Sequence, residues 1–336
     1  MPSVCSATSG AASSPDCSVD TPLVSVLVTA YNAEPWIADT LASVEAQTYP
    51  NIEVIVVDDG STDGSLDVAR SFASVTVLHQ PNAGACAARN LAFDTSTGDL
   101  IQFLDADDLL APDKIAVQVA RLDSQPDGTI ASGPWVRFYG DEPPEERPAP
   151  LPDWRGYELA SDWLVDTWAH GGMFASFAWL TPRALVERAG PWNEALRRNQ
   201  DGEFFARVLL EAQRIVFCDD AWGFYRSGIE GSVSTRRDVA DSLFQATELC
   251  ARHLRQLGDT SRTRRAQAAL WERLMFEAYP QNVTVAREAE ARARALGGAG
   301  QQPGGGRFFQ MLRDTLGWKP AVRFQTLWYR ARYGRH

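Results

Sequence analysis

Residues 100–112, L-I-Q-F-L-D-A-D-D-L-L-A-P, constrain the fold of this chain more than any other stretch. The short apolar run 100–104 suits a strand buried on both faces, as in a parallel sheet. It ends in Asp105, Asp107 and Asp108. Open α/β sheets bind ligands beyond the carboxyl ends of their strands, so these carboxylates are expected at the mouth of a cleft. Three anions this close raise one another's pKa unless something neutralises them. A divalent cation would do so, and oxygen-only ligands favour Mg²⁺ or Mn²⁺. The plainer alternative is a solvated Asp-rich turn that starts the next helix.

The chain before this stretch repeats one pattern. Strands are expected at 23–29, 53–57 and 75–78. Helices follow from Pro35, over 64–72 and over 85–93, with short links between. Such alternation means βαβ units and a parallel sheet. The polar residues follow the strands: Thr29, Tyr31, Asn32 and Glu34 the first, Asp58, Asp59 and Asp63 the second, and the Asp cluster the fourth. All are expected on one rim of one sheet.

Three common sites fail on required residues. No G-x-x-x-x-G-K-[ST] is present, and the first βα turn reads T-A-Y-N-A-E rather than G-x-G-x-x-G. A response-regulator domain is much shorter and needs a late Lys after a strand. A nucleotide-sugar site fits better. Asp59 can accept hydrogen bonds from a base or ribose, and Tyr31 can stack on a pyrimidine. Arg89 can face a diphosphate or fix the Asp cluster, and a metal on Asp107 can bridge the phosphates. Against these stand the readings of Tyr31 as a packing aromatic and Arg89 as an ion-pair partner.

Over residues 22–112 the motifs V-S-V-L-V-T-A-Y-N-A-E, V-I-V-V-D-D-G-S-T-D, P-N-A-G-A-C-A-A-R-N and G-D-L-I-Q-F-L-D-A-D-D resemble, in order and spacing, the nucleotide-binding half of the family 2 glycosyltransferases. The resemblance implies the α/β GT-A fold, with a mostly parallel central sheet flanked by helices, and an inverting, metal-dependent transferase. It implies that Asp59 contacts the nucleoside, Asp105 the ribose and Asp107 the Mn²⁺ or Mg²⁺ ion. Thr29 and Tyr31 fall beside the base, and Glu34 and Arg89 join the donor-binding set. Further on, Q-D-G-E-F at 200–204 resembles the family's E-D-x-[DE]-[LF], so Asp201 matches the catalytic base, with Gln200 in place of the usual first acid. Inversion needs one such carboxylate to take the acceptor's proton. The plainer reading of Asp201 is a helix N-cap, and of Glu203 a cap as well. Tyr225, Arg226 and Ser232-Val233-Ser234 resemble the family's Y-R-x-H…S-x-S, but Gly228 stands where the His is expected. His79 and His170 read as structural or surface residues. The implied partners are a nucleoside diphosphate sugar, UDP-linked by first preference, and a sugar or lipid-linked acceptor in cell-surface polysaccharide or glycolipid assembly. The alternative is a catalytically inactive binding module of the same fold.

Composition sets the remaining bounds. The chain has 336 residues, 45% of them hydrophobic, enough for a large core. A net charge of −11 argues against a nucleic-acid binder. Five scattered cysteines without C-x-x-C indicate neither zinc nor a disulfide framework, hence a reducing, cytoplasmic setting. Residues 1–21 read as a disordered leader, 22–236 as the transferase domain (nucleotide half 22–112, acceptor half 113–236), 237–296 as a helical extension and 297–336 as a Gly-rich link with a tail. Residues 130–154 read as irregular and 181–193 as a helix. Helices are expected near 239–257, 261–278 and 283–295, for packing or as an oligomer surface. The tail 307–336 has six Arg and one Lys against Asp314, among large aromatics. That suits the inner face of an anionic membrane, or else a helix docked on the body. The tryptophans Trp154, Trp163, Trp168, Trp179 and Trp192 read as a sugar-facing wall or as core.

Overall fold

The computed structural model describes residues 21–173, 175–229 and 240–333. The expected leader, Thr21 aside, and the Ser232-Val233-Ser234 match lie outside the described residues.

β1 (Val24–Ala30) is buried throughout except for Thr29. Burial of each large apolar side chain contributes about 1.5–3 kcal/mol, and only an interior strand buries both faces. β1 accordingly pairs in parallel with β2 (Ile52–Asp58) on one side and β4 (Leu100–Asp105) on the other, and β2 pairs with β3 (Val75–His79). The helices α1 (Ile37–Glu45), α2 (Ser65–Arg70) and α3 (Ala85–Thr95) make the crossovers, as the alternation predicts.

After β4 come β5 (Leu109–Leu110) and α4 (Lys114–Asp123), then β6 (Thr129–Ser132) and β7 (Trp135–Phe138). The stretch expected to be irregular therefore holds two strands. Each has only four residues, too few for periodicity to register. Next are α5 (Ala160–His170), β8 (Trp179–Pro182) and α6 (Arg183–Ala189). The helix expected from Thr181 thus starts two residues later. Thr181 and Pro182 pair antiparallel with Ile101 and Leu100, and this pairing overrides the helix-start signal. α7 (Gln200–Glu211), β9 (Arg214–Phe217) and β10 (Gly223–Arg226) complete the body. The main sheet runs β3-β2-β1-β4-β8-β6-β9, with β8 antiparallel to both neighbours, and β5-β10-β7 form a smaller sheet.

The carboxyl-terminal helices lie where expected: α8 (Ala240–Gln256), α9 (Ser261–Ala278), α10 (Val283–Ala295). Thr260 and Thr263 form a capping box at the start of α9. α8 packs on α7, and α9 packs on α5, so the extension lies against the body. The tail is a helical hairpin, α11 (Arg307–Leu316) and α12 (Trp318–Tyr333), turned at Gly317 with φ +86°. Among the tryptophans, Trp163, Trp168, Trp179 and Trp192 are buried core residues rather than an open wall. Trp154 stacks on Phe217.

Candidate functional site

Parallel register brings distant residues level. Ala30 lies opposite Asp58 and Thr29 opposite Asp105, so the segments following β1, β2 and β4 share one rim. There a cavity of about 600 Å³ opens, lined by Thr29, Tyr31, Arg89, Asp105, Asp107 and Asp201 among others. Six of the eight residues expected at the site therefore meet in one wall. Asp59 and Glu34 do not. Asp59 is buried, with Oδ1 accepting from Gln80 Nε2 (2.7 Å) and Ala83 N (2.8 Å), and Oδ2 from Gly84 N (2.8 Å). It fixes the turn that leads into α3. Glu34 Oε2 accepts from Gly64 N at the start of α2 (2.9 Å).

The three clustered carboxylates diverge. Asp108 is buried at the edge of the cavity, where its Oδ1 accepts from Arg226 N at 2.9 Å. Burial, then Asp107 and Asp105, push its carboxyl well above the usual range. Asp105 Oδ1 accepts from Arg89 Nη2 (2.7 Å) and Thr29 Oγ1 (3.3 Å). Asp107 remains in the cavity wall, and burial, then Asp105, push it up to about 7. Arg226 steadies the turn, donating from Nε to Asp107 O at 3.0 Å and from Nη1 to Gly140 O. The sequence places the metal on Asp107, and among the described residues no group of three His, Cys, Asp or Glu could by itself hold one. The donors still fit Mg²⁺ or Mn²⁺. Such ions bind through one or two carboxylates and complete their shell with phosphate oxygens and water. Asp107, with Asp105 beside it, would hold one. At the place of the missing His, Gly228 has φ +88°, a backbone region that disfavours a side chain.

α7 brings in the second half of the site. Asn199, with φ +53°, is its N-cap residue, so Asp201 lies inside the first turn and is not the cap. Asp201 Oδ1 is buried without a hydrogen-bond partner, 3.6 Å from Arg89 Nη1, while the side chain as a whole is one-third exposed. Burial pushes its carboxyl up to about 6, with Arg89 opposing the rise. Arg89, itself buried, lies with its Cζ 4.4 Å from the Trp192 ring centroid. The Gln200 amide oxygen accepts from Arg89 Nη1 at 3.4 Å, and its Nε2 donates to Leu196 O. Gln200 thus supports the guanidinium without adding charge. Glu203 is not a cap either: it pairs with Arg207 (2.9 Å) and His253 (3.2 Å). His79 bonds Asp58 and His170 bonds Asp166 O, and neither lines the cavity.

Sequence reasoning missed the far wall. Leu243 of α8 and Leu270, Arg273, Leu274 and Glu277 of α9 line the cavity with Arg198. Glu277 pairs with Arg198 (3.2 Å) and Arg273 (3.0 Å). No local motif marks these residues, which arrive through helix packing.

Comparison with known proteins places this geometry. The model of "Glycosyl transferase family 2" matches residues 25–185. The "Glycosyltransferase GlyG" of Streptococcus pneumoniae serotype 4 is 29% identical over 65% of this chain and 75% of its own length. Other curated bacterial glycosyltransferases are up to 43% identical, but this chain spans as little as 14% of their length. The crystal structure of S. aureus TarS residues 1–349 in complex with UDP-GlcNAc superposes with a TM-score of 0.56 at 20% identity, over 82% of this chain and 92% of that one. The mannosyltransferase PcManGT of Pyrobaculum calidifontis, in complex with GDP-Man and Mn²⁺, gives 0.51 at 21% identity, over 91% and 83%. These likenesses establish the GT-A fold expected from the sequence.

Proposed function

We propose, from the match of residues 25–185 to the glycosyl transferase family 2 model, that the chain moves a sugar from a nucleoside diphosphate sugar to an acceptor hydroxyl, with inversion. We place the reaction in the cytoplasm, in cell-surface polysaccharide or glycolipid assembly. One observation carries the reading: a single cavity holds Asp107 on its sheet side and, beyond Arg89, Asp201 with an unsatisfied carboxylate oxygen. The UDP-GlcNAc complex of TarS favours a UDP donor, while PcManGT keeps guanine in contention.

In this reading Tyr31, 47% exposed at the rim, offers its ring to the base, with Thr29 beneath it. Asp105, held by Arg89, receives the ribose. Asp59 and Glu34 act from behind, by fixing the turns into α3 and α2. Asp201 takes the proton of the acceptor hydroxyl as its oxygen bonds to C1, and the C1–oxygen pair leaves with the diphosphate. A general base of this kind contributes roughly 10²–10⁴-fold. A cation held at Asp107 would neutralise charge on the leaving diphosphate. The 237–296 extension supplies the acceptor side through α8 and α9.

The test is a thermal-shift screen of UDP- and GDP-sugars with manganese, followed by mass spectrometry of products. Asp201→Asn is expected to bind donor normally and to lose roughly 10²–10⁴ of the rate. Undiminished turnover in that variant removes Asp201 from the mechanism. Donor binding without any product in the wild type would point to an inactive binding module.

A further inference from the structure

The tail hairpin presents an apolar face that the other described residues leave exposed. Trp318 anchors it, with its ring 5.0 Å from Phe276 and 5.2 Å from Tyr279 near the end of α9. Lys319 pairs with Glu290 at 2.7 Å, and Phe309 and Ala321 are buried. On the other side Phe308, Met311 and Leu316 of α11 and Phe324, Leu327 and Trp328 of α12 are exposed, Leu327 by 65%. On each helix these positions fall within one arc at 100° per residue. Phe308 and Phe324, 5.9 Å apart, join the two arcs into one patch. Scattered exposed apolar residues are ordinary, but a contiguous patch marks an interaction surface.

The charge around the patch selects the partner. Residues 307–336 contain seven cations and one carboxylate, in a chain whose net charge is −11. Among the described side chains Arg313 pairs with Asp314 and Lys319 with Glu290, which leaves Arg307 next to Phe308 and Arg323, over the Tyr279 ring, next to Phe324. Aromatic and aliphatic residues flanked by Arg match a surface with anions outside and hydrocarbon within. Two hairpins face to face would instead bring like charges together. Among the described residues no helix is long and apolar enough to cross a membrane, so the hairpin would lie in the interface plane. Its anchor is also close to the site: Phe276 and Tyr279 flank Glu277, which lines the cavity.

We propose that the α11–α12 hairpin docks the protein on an anionic membrane surface, with its Phe324, Leu327 and Trp328 face in the headgroup region. Membrane docking of this kind does not depend on which sugar, if any, is transferred.

The full chain is co-sedimented with vesicles of phosphatidylcholine alone or mixed with phosphatidylglycerol. Binding is expected only with the anionic lipid, and to weaken as salt rises. The triple variant F324S/L327S/W328S is expected to lose at least about tenfold in vesicle affinity, since each side chain contributes burial on insertion. Its substituted residues are exposed, so an unchanged thermal midpoint is expected and verifies folding. As a second variant, R307E/R323E should lose anionic selectivity while keeping the apolar face. Equal sedimentation with and without phosphatidylglycerol overturns the proposal. So does a concentration-dependent dimer in analytical ultracentrifugation that the triple variant abolishes, which would assign the face to a second copy of the chain.

Discussion

Arg89 on α3 donates to Asp105 at the end of β4 at 2.7 Å, and the same guanidinium reaches within 3.6 Å of Asp201 on α7. One buried cation thus joins the sheet side of the cavity to the α7 side. Removing it leaves two carboxylates without compensation, and breaking a buried pair costs about 3–5 kcal/mol. Arg89→Met is expected to lower the unfolding free energy, measured by urea titration, by that order and to abolish turnover. Arg89→Lys keeps the charge but not the fork that serves Asp105, Gln200 and Asp201 together. It should refold much of the protein and recover little activity, as circular dichroism and product assays would show.

Asp201 carries the pH dependence of the proposed reaction at saturating manganese, where a cation held at Asp107 would keep that carboxylate, otherwise pushed up to about 7, ionised. Its carboxyl is pushed up to about 6, so at lower pH it is protonated and cannot accept the hydroxyl proton. Turnover is expected to be half-maximal near pH 6 and to fall about tenfold per unit well below it. Asp201→Asn should remove this limb along with roughly 10²–10⁴ of the rate. A pH–rate profile read against acceptor concentration measures both, and a wild-type profile flat from pH 5 to 8 would contradict the assignment.

The distant wall gives a different signature. Arg273 and Glu277 line the cavity from α9, outside the nucleotide half, and Arg273 is partly exposed. Arg273→Ala and Glu277→Gln are therefore expected to raise the acceptor KM about tenfold or more while leaving donor binding unchanged, a loss of about 1.4 kcal/mol confined to one substrate. Calorimetric titration of the donor beside acceptor kinetics separates the two effects.

How much of this was legible in the sequence depended on whether a residue's position follows from local pattern. Strands β1 to β4 are mostly apolar runs, each broken by an interior polar residue, and parallel register then carries Thr29, Asp58 and Asp105 to one rim without further information. Residues after strand ends could thus be named in advance. β8 could not, because Thr181-Pro182 looks locally like a helix start and becomes a strand only when β4 offers its free edge. Arg198 and Glu277 were invisible for the same reason, since their meeting depends on how α9 lies against α5. The divergence of Asp105, Asp107 and Asp108 is likewise tertiary: Arg89 and Arg226, from elsewhere in the chain, each draw one carboxylate away.

Gly228 tests whether the absent His is a loss or an accommodation. Its φ of +88° is unfavourable for a side chain, and a Cβ there would stand 3.3 Å from Tyr139 Cδ1. Restoring the family residue by Gly228→His is expected to cost about 1–2 kcal/mol of stability from backbone strain alone. Manganese affinity, followed by paramagnetic relaxation, should not improve. A tighter ion without loss of stability would show that this turn can adopt the family's geometry.

Lys114 is a second titrating group, remote from the chemistry. Its ammonium is fully buried, and Nζ donates to Gln102 Oε1 and, at 2.6 Å, to Gln118 Oε1. Burial lowers its pKa from 10.5 to about 7. Between these values the unfolded chain holds a proton that the folded chain has released. The unfolded state therefore binds more protons, and stability rises with pH across this window, by at most about 1.4 kcal/mol per unit from this group. Below pH 7 the folded protein must carry the buried charge, so the full penalty applies there. Lys114→Met removes the titration but strands two amide oxygens, at a cost of about 1–3 kcal/mol for each unsatisfied group. The variant is expected to be less stable than wild type, with the gap widening from pH 7 to pH 9 because only the wild type gains over that range. Urea unfolding at the two pH values measures the gap, and a gap that stays constant would mean Lys114 remains charged in its buried site.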